Sequence, residues 1–145
     1  MLNNDARARF GADLKEWIEL LSNRCKRLEE SKECYRRHLD SDSFRWIEQD
    51  IDAIETTKEN IKKVVPAIIA RYGIDKENLT LYKGWIEKQI HLAARKAKEE
   101  IEKIEETGYY GKYSEARGKL DAYNHINNII ADAIKNFLEK DKNNA

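Results

Sequence analysis

The chain has 145 residues, 27 Lys plus Arg balanced by 27 Asp plus Glu, 37% charged residues, 41% hydrophobic residues, six glycines and one proline. So many charges with so few breakers is the composition of one helical domain and excludes a sheet sandwich or barrel. Zero net charge weighs against a dedicated nucleic-acid or membrane-surface binder, because both draw on a surplus of Lys and Arg.

The first periodic segment runs from about Asn4 to Leu39, with apolar residues at Phe10, Leu14, Trp17, Ile18, Leu21, Cys25, Leu28, Tyr35 and Leu39 and a gap at Lys32. Steps of three and four residues mark a helix facing another helix. Asp40 to Ser43 offers several side-chain oxygens to cap the next helix. That helix carries Phe44, Ile47, Ile51, Ile54, Lys58, Ile61, Val65, Ile68 and Tyr72 on one stripe, with Pro66 predicted to kink it and Gly73 to end it. The connector Ile74–Leu79 is long enough for a single helical turn. A third helix is expected from about Thr80 to Thr107, carrying Ile86, Ile90, Ala93, Ala97, Ile101 and Ile104. After the loop Gly108–Gly111, Ser114 is a candidate cap for a fourth helix that carries Leu120, Tyr123, Ile126, Ile130, Ile134 and Phe137.

At about 1.5 Å per residue the first two helices each span roughly 45–50 Å and must return antiparallel. The expected fold is therefore all-α. Two long antiparallel hairpins, residues 4–73 and 79–139, form a four-helix bundle or a coiled-coil-like dimer within one domain, 1–145, and residues 140–145 fray. The last two helices read as the shorter pair. Heptads of this regularity also suit self-association, so a homodimer through the first hairpin is expected, with Leu14, Leu21, Leu28, Ile47, Ile51 and Ile54 shared between core and interface.

Chemistry-bearing motifs are sparse. Five serines, three of them at cap positions, and the absence of a nucleophile elbow, Walker loop, dinucleotide fingerprint or H-E-x-x-H motif argue against an enzyme and against a cofactor. Glu87 with His91, and Asp121 with His125, share helix faces that could orient a metal ligand, but the paired Glu-x-x-His of di-iron bundles is missing, and His38 stands alone. Cys25 and Cys34, nine residues apart on one helix, point to opposite sides and read as free thiols of a reducing compartment. The longest apolar run is seven residues and the N-terminus lacks a signal-peptide core, so a cytoplasmic protein without a membrane span is expected.

Ala70-Arg-Tyr-Gly-Ile74 followed by Leu81-Tyr-Lys-Gly-Trp85 resembles the turn and recognition helix of transposase-type helix-turn-helix domains, which implies a DNA-binding regulator using residues 70–85. The connector Asp75–Thr80 is longer than that motif's turn, Gly84 separates Lys83 from Trp85, and Asp75, Glu77 and Glu87 would face phosphates. That reading therefore ranks second, and a helical enzyme or metal protein third.

Aromatic and arginine clusters are the usual anchors of protein interfaces, and Trp46 and the group Tyr109, Tyr110, Tyr113 and Arg117 are the candidates here. Between Asp40 and Glu59 seven acids face two bases, while Arg24–Arg37 carries six bases and three acids. The reading that ranks first is a non-enzymatic helical module that binds a protein partner. Sixteen isoleucines, eleven asparagines and seventeen lysines suit A/T-rich coding, as in an accessory or inhibitor protein of a phage or mobile element.

Overall fold

The computed structural model describes residues 4–71 and 76–143. Four helices follow in order: α1 (Asn4–His38), α2 (Ser41–Arg71), α3 (Lys76–Thr107) and α4 (Tyr113–Asn143), with a 3-10 turn at Tyr110–Lys112. The expected all-α bundle is what forms, and no described residue lies in a strand.

The expected inequality between hairpins does not hold. At 32 and 31 residues, α3 and α4 match the 31 of α2. Helix α3 begins at Lys76, ahead of Thr80, because Lys76–Asn78 contains no breaker and Leu79, 1% exposed, ties the first turn to the core. Helix α4 continues to Asn143, four residues past the expected end at 139. The proposed stop at Gly73 and the last two residues of the tail lie outside the described residues.

The ends are local chemistry. Leu39 has φ 51° and its amide donates to the Tyr35 carbonyl at 2.7 Å, closing α1 with a left-handed residue that is not glycine. Asp40 caps α2, accepting the Ser43 amide on Oδ1 at 2.7 Å. The Ser43 side chain first, and then this amide bond, hold the Asp40 carboxyl below the usual range. Gly108, φ 71°, stops α3 by donating its amide to Ile104 at 2.9 Å. Ser114 is not a cap, since the 3-10 turn feeds straight into α4 and the Tyr113 amide bonds the Tyr110 carbonyl. Helix α2 runs through Pro66, which is exposed, as is Lys62, whose carbonyl the proline cannot serve as a donor.

Helix α4 organises the packing, because it lies against α1, α2 and α3, while α1 and α2 also pack on each other. Its Ala122, Ile126, Ile129, Ile130 and Ile134 are all at most 1% exposed. Each buried isoleucine contributes about 1.5–3 kcal/mol relative to an exposed one. They meet Phe10, Leu14, Leu21 and Cys25 of α1, Ile54, Ile61, Val65, Ile68 and Ile69 of α2, and Leu79, Tyr82, Ile86 and Ile90 of α3 in one cluster. Phe10 pins the start of α1 to α3 through Tyr82, ring centroids 6.4 Å apart. A smaller cluster of Ile101, Ile104 and Ala116, with Tyr113 and Leu120, closes the α3–α4 corner.

Candidate functional site

The main core ends at Cys25 of α1 and Ile54 of α2, and polar contacts at and beyond that level join α1 to α2. The Ser31 hydroxyl donates to Asp50 Oδ2 at 2.5 Å, and the Ser43 hydroxyl contacts Cys34 Sγ at 3.4 Å. Arg24 donates to the Ala53 carbonyl at 2.9 Å and to the Thr57 hydroxyl, which itself donates to Ala53 at 2.7 Å. Ser31, Ser43, Asp50 and Thr57 are buried. A buried polar group without a partner is costly, so these pairs set how the two helices are rotated against each other.

That rotation corrects the stripe expected for α2. Its inner face is Ser43, Ile47, Asp50, Ile54, Thr57 and Ile61, again in steps of three and four. Ile47, Ile54 and Ile61 stay on it. Phe44 and Ile51 turn outward, at 49% and 46% exposed, and Lys58 sits half-buried at the edge. The residues expected to be shared with a dimer interface separate accordingly: Leu14, Leu21 and Ile54 are core, Leu28 packs against it, Ile47 is half-buried and Ile51 faces solvent.

The aromatic candidates gather near the same end. Trp46 is 47% exposed on α2, and Phe44 packs on Tyr35 of α1 with ring centroids 5.7 Å apart. Tyr109 and Tyr110 are exposed at the α3–α4 corner, while Tyr113 is half-buried with its ring 5.7 Å from Tyr110. Tyr110, Tyr113 and Ser114 form one wall of a cleft of about 480 Å³ whose other wall is α1, including Lys32, Arg36 and Arg37. Glu33 pairs with both arginines, at 3.1 Å for Arg37, so the cleft carries little net field. Arg117 is not part of this wall; it pairs with Asp121 at 3.4 Å.

The two carboxylate–histidine pairs are occupied otherwise. Glu87 pairs with Lys83 at 3.8 Å and Asp121 with Arg117. His91 and His38 are exposed. His125 is half-buried, and burial followed by the nearby Lys58 ammonium holds its pKa below the usual value, against the opposing pull of Asp121 and Glu55. Among the described residues no three His, Cys, Asp or Glu side chains are grouped to hold a metal ion. Both cysteines are free thiols. Burial, then Asp121 and Glu29, raise Cys25 to about 11, the reverse of an activated nucleophile. No helix among the described residues is long and apolar enough to cross a membrane.

Residues 76–85 are the opening turns of the long α3. Leu79 and Tyr82 are buried in the core, Trp85 is half-buried 3.5 Å from the place a Cβ on Gly11 would take, and Lys83 is engaged with Glu87. Residues 72–75 of the helix-turn-helix resemblance lie outside the described residues.

Reading apolar stripes missed the polar seam, although its signal is in the chain: Ser31 lies three residues after Leu28 and four before Tyr35, and Asp50 and Thr57 flank Ile54 at four and three. Comparison with protein-family models, curated proteins and solved structures finds no match to this chain.

Proposed function

We propose that this chain is a non-enzymatic helical interaction module that binds a protein partner through the far end of its α1–α2 hairpin and the neighbouring tyrosine corner. The observation that carries the reading is that Leu39, Phe44, Trp46 and Ile51 are all exposed beyond the last core residues, Phe44 and Ile51 on one flank of α2 and Trp46 on the other, with Tyr109 and Tyr110 exposed at the adjoining corner. Exposed apolar surface is unfavourable by about 25 cal/mol per Å², and contiguous patches of it with aromatic anchors mark interaction sites. Leu39 sharpens the point. It is 71% exposed in a left-handed turn where glycine is at home, so its side chain buries little apolar surface in the folded monomer. A role as a phage or mobile-element accessory protein, acting on a host protein in the cytoplasm, fits the residue usage.

Photo-crosslinking in the native cell tests this. A crosslinking residue replacing Trp46 or Tyr109 is expected to give one discrete protein adduct that survives nuclease. The same residue at Leu81, exposed near the opposite end, is expected to give none. Equal labelling from all three positions, or an adduct lost on nuclease treatment, overturns the reading and favours the DNA-binding alternative.

A further inference from the structure

We infer that the open face of the α1–α2 hairpin is a groove for one amphipathic helix of a partner protein, carrying lysines or arginines along one edge, which continues the path that α4 follows lower down. This deepens the proposed protein-binding reading and rests on it.

The groove follows from where α4 begins. Lys58 of α2 is half-buried beside Ile54 and Ile61, which share the core cluster with Ile126 and Ile130 of α4, and its ammonium acts on His125 of α4, so Lys58 marks the side of α2 that α4 covers. Ile51 and Phe44 lie one and two heptads before Lys58, and seven residues are nearly two full turns, so all three share that side. The parallel row Ile47, Ile54, Ile61 passes from half-buried to core along the same path. On α1, Gly118 of the second turn of α4 meets Ser22 and Lys26, and Tyr113 and Ser114 come level with Glu29, Lys32 and Glu33 across the cleft. From Glu29 to the end of α1 at His38 is about two and a half turns at 3.6 residues per turn, and the α1 side of the cleft runs on to Arg36 and Arg37. There the hairpin keeps the two-helix surface that α4 fills below, with Phe44, Ile47, Ile51 and Tyr35 on or beside it.

Charge selects the occupant. Glu48, Asp52, Glu55 and Glu59 follow one another at four, three and four residues, a row of exposed carboxylates along the outer border of Phe44 and Ile51. Glu55 reaches Lys58 at 3.3 Å and Glu59 reaches Lys62 at 3.7 Å. Glu48 and Asp52, the two nearest the hairpin end, have no ion pair among the described residues. An incoming helix with apolar residues at steps of three and four covers the strip, and a basic edge on it meets these carboxylates. A second copy of this chain brings the same acidic row, which a two-fold contact centred on Ile51 sets against its own image.

The test uses the full chain and two labelled peptides of three heptads, both with leucine at positions a and d. One carries lysine at e and the other glutamate at e, and binding is read by fluorescence anisotropy. The lysine peptide is expected to bind and to weaken as salt is raised, and the glutamate peptide is expected not to bind. Phe44→Ser with Ile51→Ser, both at exposed positions, is expected to weaken the lysine peptide by roughly tenfold or more. Glu48→Lys with Asp52→Lys is expected to reverse the preference between peptides, a result that general loss of folding cannot produce. Equal binding of both peptides, or indifference to the serine pair, overturns the groove. So does a wild-type chain that sediments as a dimer and becomes monomeric in the serine pair, because the strip then belongs to a second copy. If the groove fails while crosslinking from position 46 persists, the partner-binding reading stands and only the helix-shaped occupant falls.

Discussion

A Cβ placed on Gly118 of α4 would lie 2.8 Å from the carbonyl oxygen of Ser22 in α1, and 2.7 Å from the Lys26 amide nitrogen. Two helix backbones meet there with no side chain between them. Both obstructing atoms are main chain, so no rotamer change relieves the clash. Gly118→Ala is therefore expected to cost on the order of 2 kcal/mol despite the better helix propensity of alanine. Gly84 in α3 is the internal control, because nothing lies within 4 Å of its absent Cβ. Gly84→Ala is expected to raise stability by about 0.5–1 kcal/mol. Chemical denaturation of the two variants side by side checks the contrast, and a stabilised Gly118→Ala would refute the close crossing.

Leu39 provides a second test of backbone geometry. Its φ of 51° strains a residue with a Cβ, and its side chain is mostly in water. Leu39→Gly is expected to stabilise the chain by about 0.5 kcal/mol, the relief of left-handed strain less the added flexibility of the unfolded state. A loss of stability in thermal melts would mean that the leucine side chain holds the turn.

The two thiols should separate by reactivity. Cys25 is buried with its pKa near 11, whereas Cys34 is half-buried at the polar seam. In the native chain at pH 8, a disulfide-exchange reagent is expected to titrate Cys34 first and Cys25 only on adding denaturant. Cys34→Ser should then show almost no native reactivity. Fast modification of that variant would place Cys25 outside the core.

His125 makes stability depend on pH. Its pKa is lowered in the folded state, so the unfolded chain takes up the proton more readily. The folded state is therefore expected to be at full strength above the unfolded value of about 6.5 and to weaken as pH falls from there through the lower folded value. Asp121 and Glu55 oppose the effect and Lys58 adds to it. His125→Gln is expected to flatten the slope of denaturation midpoint against pH in this window. An unchanged slope would assign it to the carboxylates instead.

The helices themselves were legible in the chain, because steps of three and four apolar residues and scarce breakers leave the backbone one regular way to bury its side chains. Asp40 as a cap and Gly108 as a stop were legible for the same local reason: each satisfies main-chain groups within a few residues of itself. Trp46 and the tyrosine corner could be named, but the cleft between that corner and α1 could not. Which face of α2 turns inward depends on Asp50 finding Ser31 and Thr57 finding Arg24, contacts that span 19 and 33 residues. An apolar count reads such polar residues as gaps and so placed Phe44 and Ile51 inside. The central place of α4 depends in turn on Gly118 letting two backbones touch. Periodicity describes each helix about its own axis. The rotation and height of one helix against another are set by pairs of atoms far apart in the chain, and only the tertiary structure decided them.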